Sequence, residues 1–189
     1  MTGAALAAAL DDVAALRIAV FRDWPYLYDG DLGYERRYLQ SLGDSDRAIL
    51  VGAFDGASLV GAATGTPLAD HAEDFGAAFY GTGIDMERVF YCAESVLLPA
   101  YRGRGVGHRF FDLREAHARA LGFDRMIFCS VMRPEDHPLR PKKNHRTLDS
   151  FWRNRGYQPM PGVIASFSWK DVDQDTSTPK ALQFWIRNL

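Results

Sequence analysis

The sequence predicts a mixed α+β fold, one domain over residues 1–189, with a mostly antiparallel central sheet flanked by helices. Three observations lead there. At 189 residues, 47% of them hydrophobic, the chain has material for one sizeable core and little room for a second. Strand-like runs are joined by short turn signals, above all Asp55-Gly56, where glycine takes up the positive φ that a tight antiparallel hairpin needs. A single strand-helix-strand crossover, from Val89 to Met132, supplies the one place where two strands run parallel.

Val13, Leu16 and Val20 fall at helical spacing behind Asp11 or Asp12 as N-cap, which predicts a helix to Phe21. The segment DWPYLYDGDLG breaks it, and YERRYLQSL predicts a second helix ending at Gly43. RAILVGAFDGASLVGAATGT reads as the hairpin, and residues 67–86 as a helix and a loop. One strand is expected over residues 88–98, ended by Pro99, which has no N–H to give a ladder. Residues 105–121 are helical and stop at Gly122; RMIFCSVM is a buried strand. After the proline-broken loop RPEDHPLRPKKN come the helix RTLDSFWRNR, closed by Gly156, and a final strand pair, GVIASFSWKDV and ALQFWIRNL.

Composition excludes several classes of function. No apolar run is long enough to span a bilayer, and the alanine-rich start lacks the basic region of a secretory signal, so a cytoplasmic protein without membrane contact is expected. Cys92 and Cys129 sit in strand-like runs and read as buried free thiols. His71, His108, His117, His137 and His145 lack the spacing of a zinc site, so no metal is expected. Charge is uneven: residues 1–94 hold 15 acidic and 6 basic side chains, residues 95–189 hold 9 and 16. The basic half suits an anionic ligand and the acidic half a cationic one. Without a basic helix interleaved with aromatics, no nucleic-acid partner is expected.

The anion's place is ESVLLPAYRGRGVGHRFF, residues 94–111, where a strand ends and a helix begins. Helix N-termini leave unpaired N–H groups and a partial positive charge, and glycine lets the backbone come close to a phosphate. Two phosphate motifs fail. A dinucleotide fingerprint would need glycine where His108 stands, and a P-loop would need GK followed by Ser or Thr.

What remains is R-x-x-G-x-G, formed by Arg102, Gly105 and Gly107 within LLPAYRGRGVG. This closely resembles the acyl-CoA loop of the GCN5-related N-acetyltransferase (GNAT) superfamily, and the order of elements agrees from about Arg47 to the C-terminus. The resemblance implies a GNAT-like fold and acetyl-CoA as co-substrate. It implies that Arg102, Gly103, Arg104, Gly105, Val106, Gly107 and His108 line the pyrophosphate, Val106 and His108 through main-chain N–H, with Val96, Leu97 and Leu98 along the pantetheine and acyl arm. Lys142, Lys143 and Arg146 are further candidates for CoA phosphates. The activity implied is acetyl transfer to an amine of a small molecule or protein by direct attack; the alternative is a non-catalytic acyl-CoA-binding module.

Amine acylation needs a neutral nitrogen and a stabilised thiolate. Glu94, the one carboxylate in an otherwise apolar strand, is the candidate general base. The family's usual acid, a tyrosine, is missing: alignment on Gly156 and Tyr157 puts Trp152 there, and indole only donates a hydrogen bond. Water, Tyr157 or a loop residue such as His137 substitutes, or the thiolate leaves unassisted. In the family the first two helices and their connection wall the acceptor pocket. That makes Trp24, Tyr26 and Tyr28 candidate substrate contacts, with Asp23, Asp29 and Asp31 offering charge and residues 69–85 a second wall. Family members usually begin with a strand, for which only TGAALAAAL is available. The apolar last strand leaves a homodimer open.

Overall fold

The computed structural model describes residues 1–142 and 147–189. Helix α1 (Gly3–Ala7) and helix α2 (Leu10–Phe21) open the chain, so the N-terminal strand of the family is replaced by helix. What remains of that strand is one residue: the Met1 amino group donates to Leu50 O at 2.7 Å and Leu50 N donates to Met1 O at 2.9 Å. Helix α3 (Leu32–Asp44) starts at Asp31, whose side chain accepts from Tyr34 N, and runs past the expected stop at Gly43.

The sheet is built from β1 (Ile49–Asp55), β2 (Ser58–Pro67), β3 (Val89–Tyr91), β4 (Ser95–Leu97), β5 (Arg125–Val131), β6 (Gln158–Lys170) and β7 (Ser177–Asn188). Its order is β1-β2-β3-β5-β7-β6, with β4 also paired to β2. Among the described residues only β3 and β5 run parallel, joined by the crossover helix α5 (Val106–Ala120). Helix α4 (Ala72–Phe79) lies in the 67–86 segment, and α6 (Asp149–Asn154) precedes β6. Strands β6 and β7 extend beyond the two apolar runs that predicted them, into a long hairpin.

Alternation along the strands sends neighbouring side chains to opposite faces. Phe90, Cys92, Met126 and Phe128 pack on one face with Phe110 and Phe111 of α5 and Trp152 of α6. Tyr91, Ile127, Leu182 and Phe184 pack on the other with Phe75 and Phe79 of α4. Leu50, Ala62 and Val96 meet Val13, Leu16 and Leu39 of the N-terminal helices. Among the described residues, no helix is long and apolar enough to cross a membrane.

One sequence expectation is corrected where it matters most. Residues 88–98 do not form a continuous strand. Thr66 pairs with Tyr91 and Ala63 with Ser95, so two residues of β2 face three, Cys92 to Glu94. That is a bulge, and it turns β4 away from the line of β3. Gly65 is needed there: a Cβ on it would stand 2.5 Å from the Phe90 ring and 3.1 Å from Tyr91 O.

Candidate active site

Beyond the bulge the sheet opens. Cys92 N still donates to Ile127 O at 2.8 Å, but further on β4 pairs only with β2 and β5 only with β7. Because Thr64 N donates to Glu94 O and Leu98 N to Val60 O, the main-chain groups of residues 94, 96 and 98 turn toward β2. Antiparallel alternation then aims Ser95 and Leu97 into the opening. Across it, Met132 N is spent on Ala181 O of β7, so the odd positions Cys129 and Val131 present their main chain. The gap is a wedge with open backbone edges on both sides. Of the three residues expected along the acyl arm, Leu97 faces this wedge, whereas Val96 and Leu98 use their backbones on β2.

The wedge leads to the glycine loop. Gly103 (φ 76°) and Gly105 (φ 80°) are left-handed, with open space where a Cβ would stand, and Gly105 is the N-cap of α5. The amides of residues 103–107 have no backbone acceptor among the described residues, whereas His108 N is used on Gly105 O at 3.0 Å. Arg102 Nε donates to Leu97 O at 3.0 Å and Arg104 Nη2 to Ala100 O at 3.0 Å, bracing the loop while leaving other guanidinium N–H groups outward. The His108 ring packs edge-on against Phe151. A cradle of free amides at a helix N-terminus, flanked by two arginines, fits a pyrophosphate. Lys142 is exposed beyond it; Lys143 and Arg146 lie outside the described residues.

On the opposite face of the sheet, at the apex of the wedge, is a cavity of about 90 Å³. Tyr91, Ala93 and Cys129 floor it, while Phe21, Tyr26, Tyr28, Tyr34 and Tyr38 wall it from the N-terminal helices. Phe167, Trp169 and Leu182 of the β6-β7 hairpin close the third side. Tyr26 lies 6.0 Å from Trp169 in a stacked pair. Burial raises the Tyr26, Tyr38 and Tyr91 phenols, which therefore stay protonated at neutral pH. Burial also pushes the Cys129 thiol up to about 11.

The cavity's one charged lining residue is Arg17 of α2. Its Nε donates to Glu35, and its Nη1 donates to Glu94 Oε2 at 2.6 Å. Both carboxylates have fully buried side chains. Burial works against the Arg17 charge, but Glu94 and Glu35 more than reverse that and raise its pKa. The guanidinium lies 4.5 Å from the Tyr38 ring centroid. Glu94 Oε1 accepts from Thr64 Oγ1 at 2.5 Å. Each Glu94 oxygen therefore has one protein donor, and a carboxylate oxygen can accept two. Glu94 stands behind Arg17 and does not itself line the cavity.

Sequence reasoning thus placed Tyr26 and Tyr28 in a common pocket, and the structure brings them together there. Trp24 instead meets the His137 ring, at 5.2 Å. Two of the three aspartates expected to offer charge are spent elsewhere: Asp29 on Arg22 and Lys170, Asp31 on capping α3. None of residues 69–85 lines the cavity; the β6-β7 hairpin takes that side. Arg17 and Glu35 were missed, yet both stand on apolar helix faces, Arg17 four residues after Val13 and Glu35 four before Leu39. A charge on a buried stripe was the available signal. Trp152 packs against Phe128 and Trp185 at 4.9 and 5.1 Å. Tyr157 is wholly buried, its hydroxyl donating to Glu115, so it does not face the wedge.

A sheet split by a bulge, with a free-amide loop at one end of the split and a half-open aromatic pocket at the other, defines an acyl-CoA-binding transferase frame. The profile of the acetyltransferase (GNAT) family matches residues 13–141, and the chain belongs to that family. No curated protein matches the chain. Among solved structures, a ribosomal-protein-alanine N-acetyltransferase from Brucella melitensis is similar at 14% identity and TM-score 0.59, covering 96% of this chain and 95% of its own. An acetyltransferase described as putative, from Salmonella typhimurium and solved with acetyl-CoA, is 12% identical at TM-score 0.55, covering 96% and 89%. An aminoglycoside 6'-N-acetyltransferase in complex with coenzyme A is 14% identical at TM-score 0.57, covering 94% and 89%. At these identities the likeness is one of fold.

Proposed function

We propose that the protein transfers an acetyl group from acetyl-CoA to an amine by direct attack, with both substrates bound at once. The observation that carries this is the wedge, which joins the loop of free amides on one side of the sheet to a half-open aromatic pocket at its apex. Acetyl-CoA would supply an activated acyl carbon bound to a good leaving group. Amides 103–107, with Arg102 and Arg104, would hold its pyrophosphate, and the main chains of Ser95, Leu97, Cys129 and Val131 its pantetheine arm.

Glu94 takes up the amine's proton in this reading, through a water at its unfilled acceptor positions, since Arg17 separates it from the cavity. Covalent transfer through a cysteine has little support. Burial pushes the Cys92 and Cys129 thiols up to about 11, and Cys92 packs on the α5 face, away from the cavity. Initial rates at varied concentrations of both substrates should give intersecting double-reciprocal lines; parallel lines would contradict direct attack.

The first test is calorimetric titration with acetyl-CoA of the parent and an Arg102→Ala, Gly105→Glu variant. Micromolar binding is expected in the parent and none in the variant; no binding in the parent would end the reading. The second reading, an acyl-CoA-binding module without turnover, is favoured by Trp152 being locked in the core at the position of the usual acid. Tight binding without thiol release against any amine would establish it.

A further inference from the structure

We propose that Arg133 is a positioning residue for the amine: it touches neither substrate, but sets the pocket wall made by Tyr26 and Trp169 against the strand that would carry the pantetheine arm. This rests on the acetyl-transfer reading above and adds a residue to it.

The wall is partly irregular chain held from outside. Tyr26 and Tyr28 belong to residues 22–31, the connection between α2 and α3. In its middle Leu27 is left-handed at φ 55°, a conformation that a residue with a Cβ keeps only where its surroundings impose it. The imposing contacts come from the end of β6 and the residues after it. Leu27 O accepts from Val172 N at 2.7 Å, Asp29 N donates to Lys170 O at 2.9 Å, and Trp169 Nε1 donates to Tyr26 O at 3.0 Å.

Arg133 closes this arrangement from the β5 side. Met132 N still pairs with Ala181 O of β7, so the chain stays extended and Arg133 follows the parity of Cys129 and Val131. Its side chain is nearly buried, and that of Asp171 completely so. Every guanidinium nitrogen has a target: Nε donates to Pro25 O at 2.8 Å, Nη2 to Tyr26 O at 2.5 Å, and Nη1 and Nη2 to the two Asp171 oxygens at 2.7 and 2.9 Å. The same guanidinium lies 5.9 Å from the Trp169 ring centroid. One side chain therefore fixes Tyr26 through its carbonyl and braces Trp169 through its ring, while those two rings stack on the pocket side.

The consequence is registry between the two substrates. Cys129 and Val131 edge the wedge, so the strand that would hold the acyl donor also carries, two residues on, the clamp on the acceptor wall. Misplacing a reacting group by about 1 Å can cost on the order of a hundredfold in rate. Lysine cannot replace this clamp. It keeps a cation beside Asp171 but gives up the planar fork that reaches four acceptors at once.

The test is steady-state thiol release from acetyl-CoA in the parent and Arg133→Lys, with tyramine, spermidine and an unblocked peptide as probe amines. For each amine that the parent uses, its KM is expected to rise at least tenfold in the variant, while the acetyl-CoA Kd by calorimetry stays within twofold. Loss of folded protein alone lowers kcat and leaves KM in place. An unchanged amine KM, or an equal weakening of acetyl-CoA, would therefore overturn the proposal and leave acetyl transfer standing. Arg187→Lys disturbs the Glu115 pair on the α5 face of the sheet and should leave the amine KM unchanged; a comparable rise there would also overturn it. If Arg133→Lys does not fold, Asp171→Asn withdraws one acceptor from the fork and should raise the same KM at least threefold, and no rise would count against Arg133. A parent that binds acetyl-CoA yet acetylates none of the probes would overturn both this proposal and the acetyl-transfer reading.

Discussion

Replacing Arg17 by methionine tests the ion cluster at the aromatic cavity most directly. The side chain is nearly buried and its two carboxylate partners completely so, hence the change leaves two buried negative charges facing each other without a cation. Removing one partner of a buried pair costs about 3–5 kcal/mol, because the remaining charge stays desolvated. Here one arginine serves two pairs, and methionine recovers part of the stem's packing against Tyr38 and Phe21, so the same range is a fair expectation. For a chain of this size each kcal/mol moves Tm by about 2–4 °C, giving a fall of roughly 6–20 °C. Thermal unfolding followed by circular dichroism measures it. A double variant with Glu35→Gln should recover part of the loss, with a coupling of about 0.5–3 kcal/mol. A Tm within 2 °C of the parent, or strict additivity in the double variant, would refute the buried network. Acetyl-CoA affinity should not change, because Arg17 lies across the sheet from the glycine loop.

Further expectations concern groups around the same cavity. With Cys129 near 11, about 0.03% of it is thiolate at pH 7.5, against about 10% for a free thiol, so neither cysteine should react quickly with a disulfide reagent until the protein is unfolded; rapid titration of one thiol would show Cys129 differently placed. In the proposed reaction Tyr91, whose hydroxyl lies 3.5 Å from Cys129 Sγ at the wedge apex, would be a candidate donor to the departing sulfur. Tyr91→Phe should lower kcat tenfold or more with acetyl-CoA affinity intact, and an unchanged kcat would remove it from the chemistry. Burial opposes the Asp171 charge, but Arg133 and Lys180 more than offset that and hold its pKa below the usual aspartate value. A depressed folded pKa gives stability present above about pH 4 and lost as pH falls through the folded value. Asp171→Asn should therefore destabilise the protein at pH 7 and flatten the acid limb of its pH-stability curve; an unaltered acid limb would contradict the assignment.

How far the sequence could be read depended on where each signal lay. The hairpin at Asp55-Gly56, the helix before Gly122 and the terminal strand pair were legible because turn chemistry and periodicity agreed locally. The bulge at Cys92 to Glu94 was not, since its apolar run looks the same whether or not one residue is extra; only the register against β2 reveals it. The glycine loop was legible because Gly103 and Gly105 sit where only a left-handed backbone serves. The aromatic pocket was half legible. Tyr26 and Tyr28 stood out as aromatics at a helix break, but Tyr34, Tyr38 and Trp169 converge from separate elements, and no local pattern marks that. Exposed carboxylates in a loop read as a ligand site in sequence, whereas in the structure Asp31 caps α3 and Asp29 pairs with Arg22 and Lys170.

The bulge is braced by arginines. A carbonyl oxygen can accept two hydrogen bonds, and Thr64 O and Glu94 O, each already accepting a backbone N–H, take a second from a side chain. Arg114 of α5 is completely buried, with Nη1 donating to Thr64 O at 3.0 Å and Glu94 O at 2.9 Å and Nη2 to Ser95 Oγ at 2.8 Å. Among the described residues it has no carboxylate partner, so its charge is held by these acceptors and by the Phe111 ring. Arg102 does the same for Leu97 O at the outer end. Both donors come from the loop-helix unit that carries the free amides. The unit that would grip the phosphates therefore also braces the bulge and β4, so the bulge and the cradle form one construction. Glu94 belongs to it twice, its carbonyl fixed by Arg114 and its carboxylate by Arg17, which couples the two faces of the sheet through a single residue.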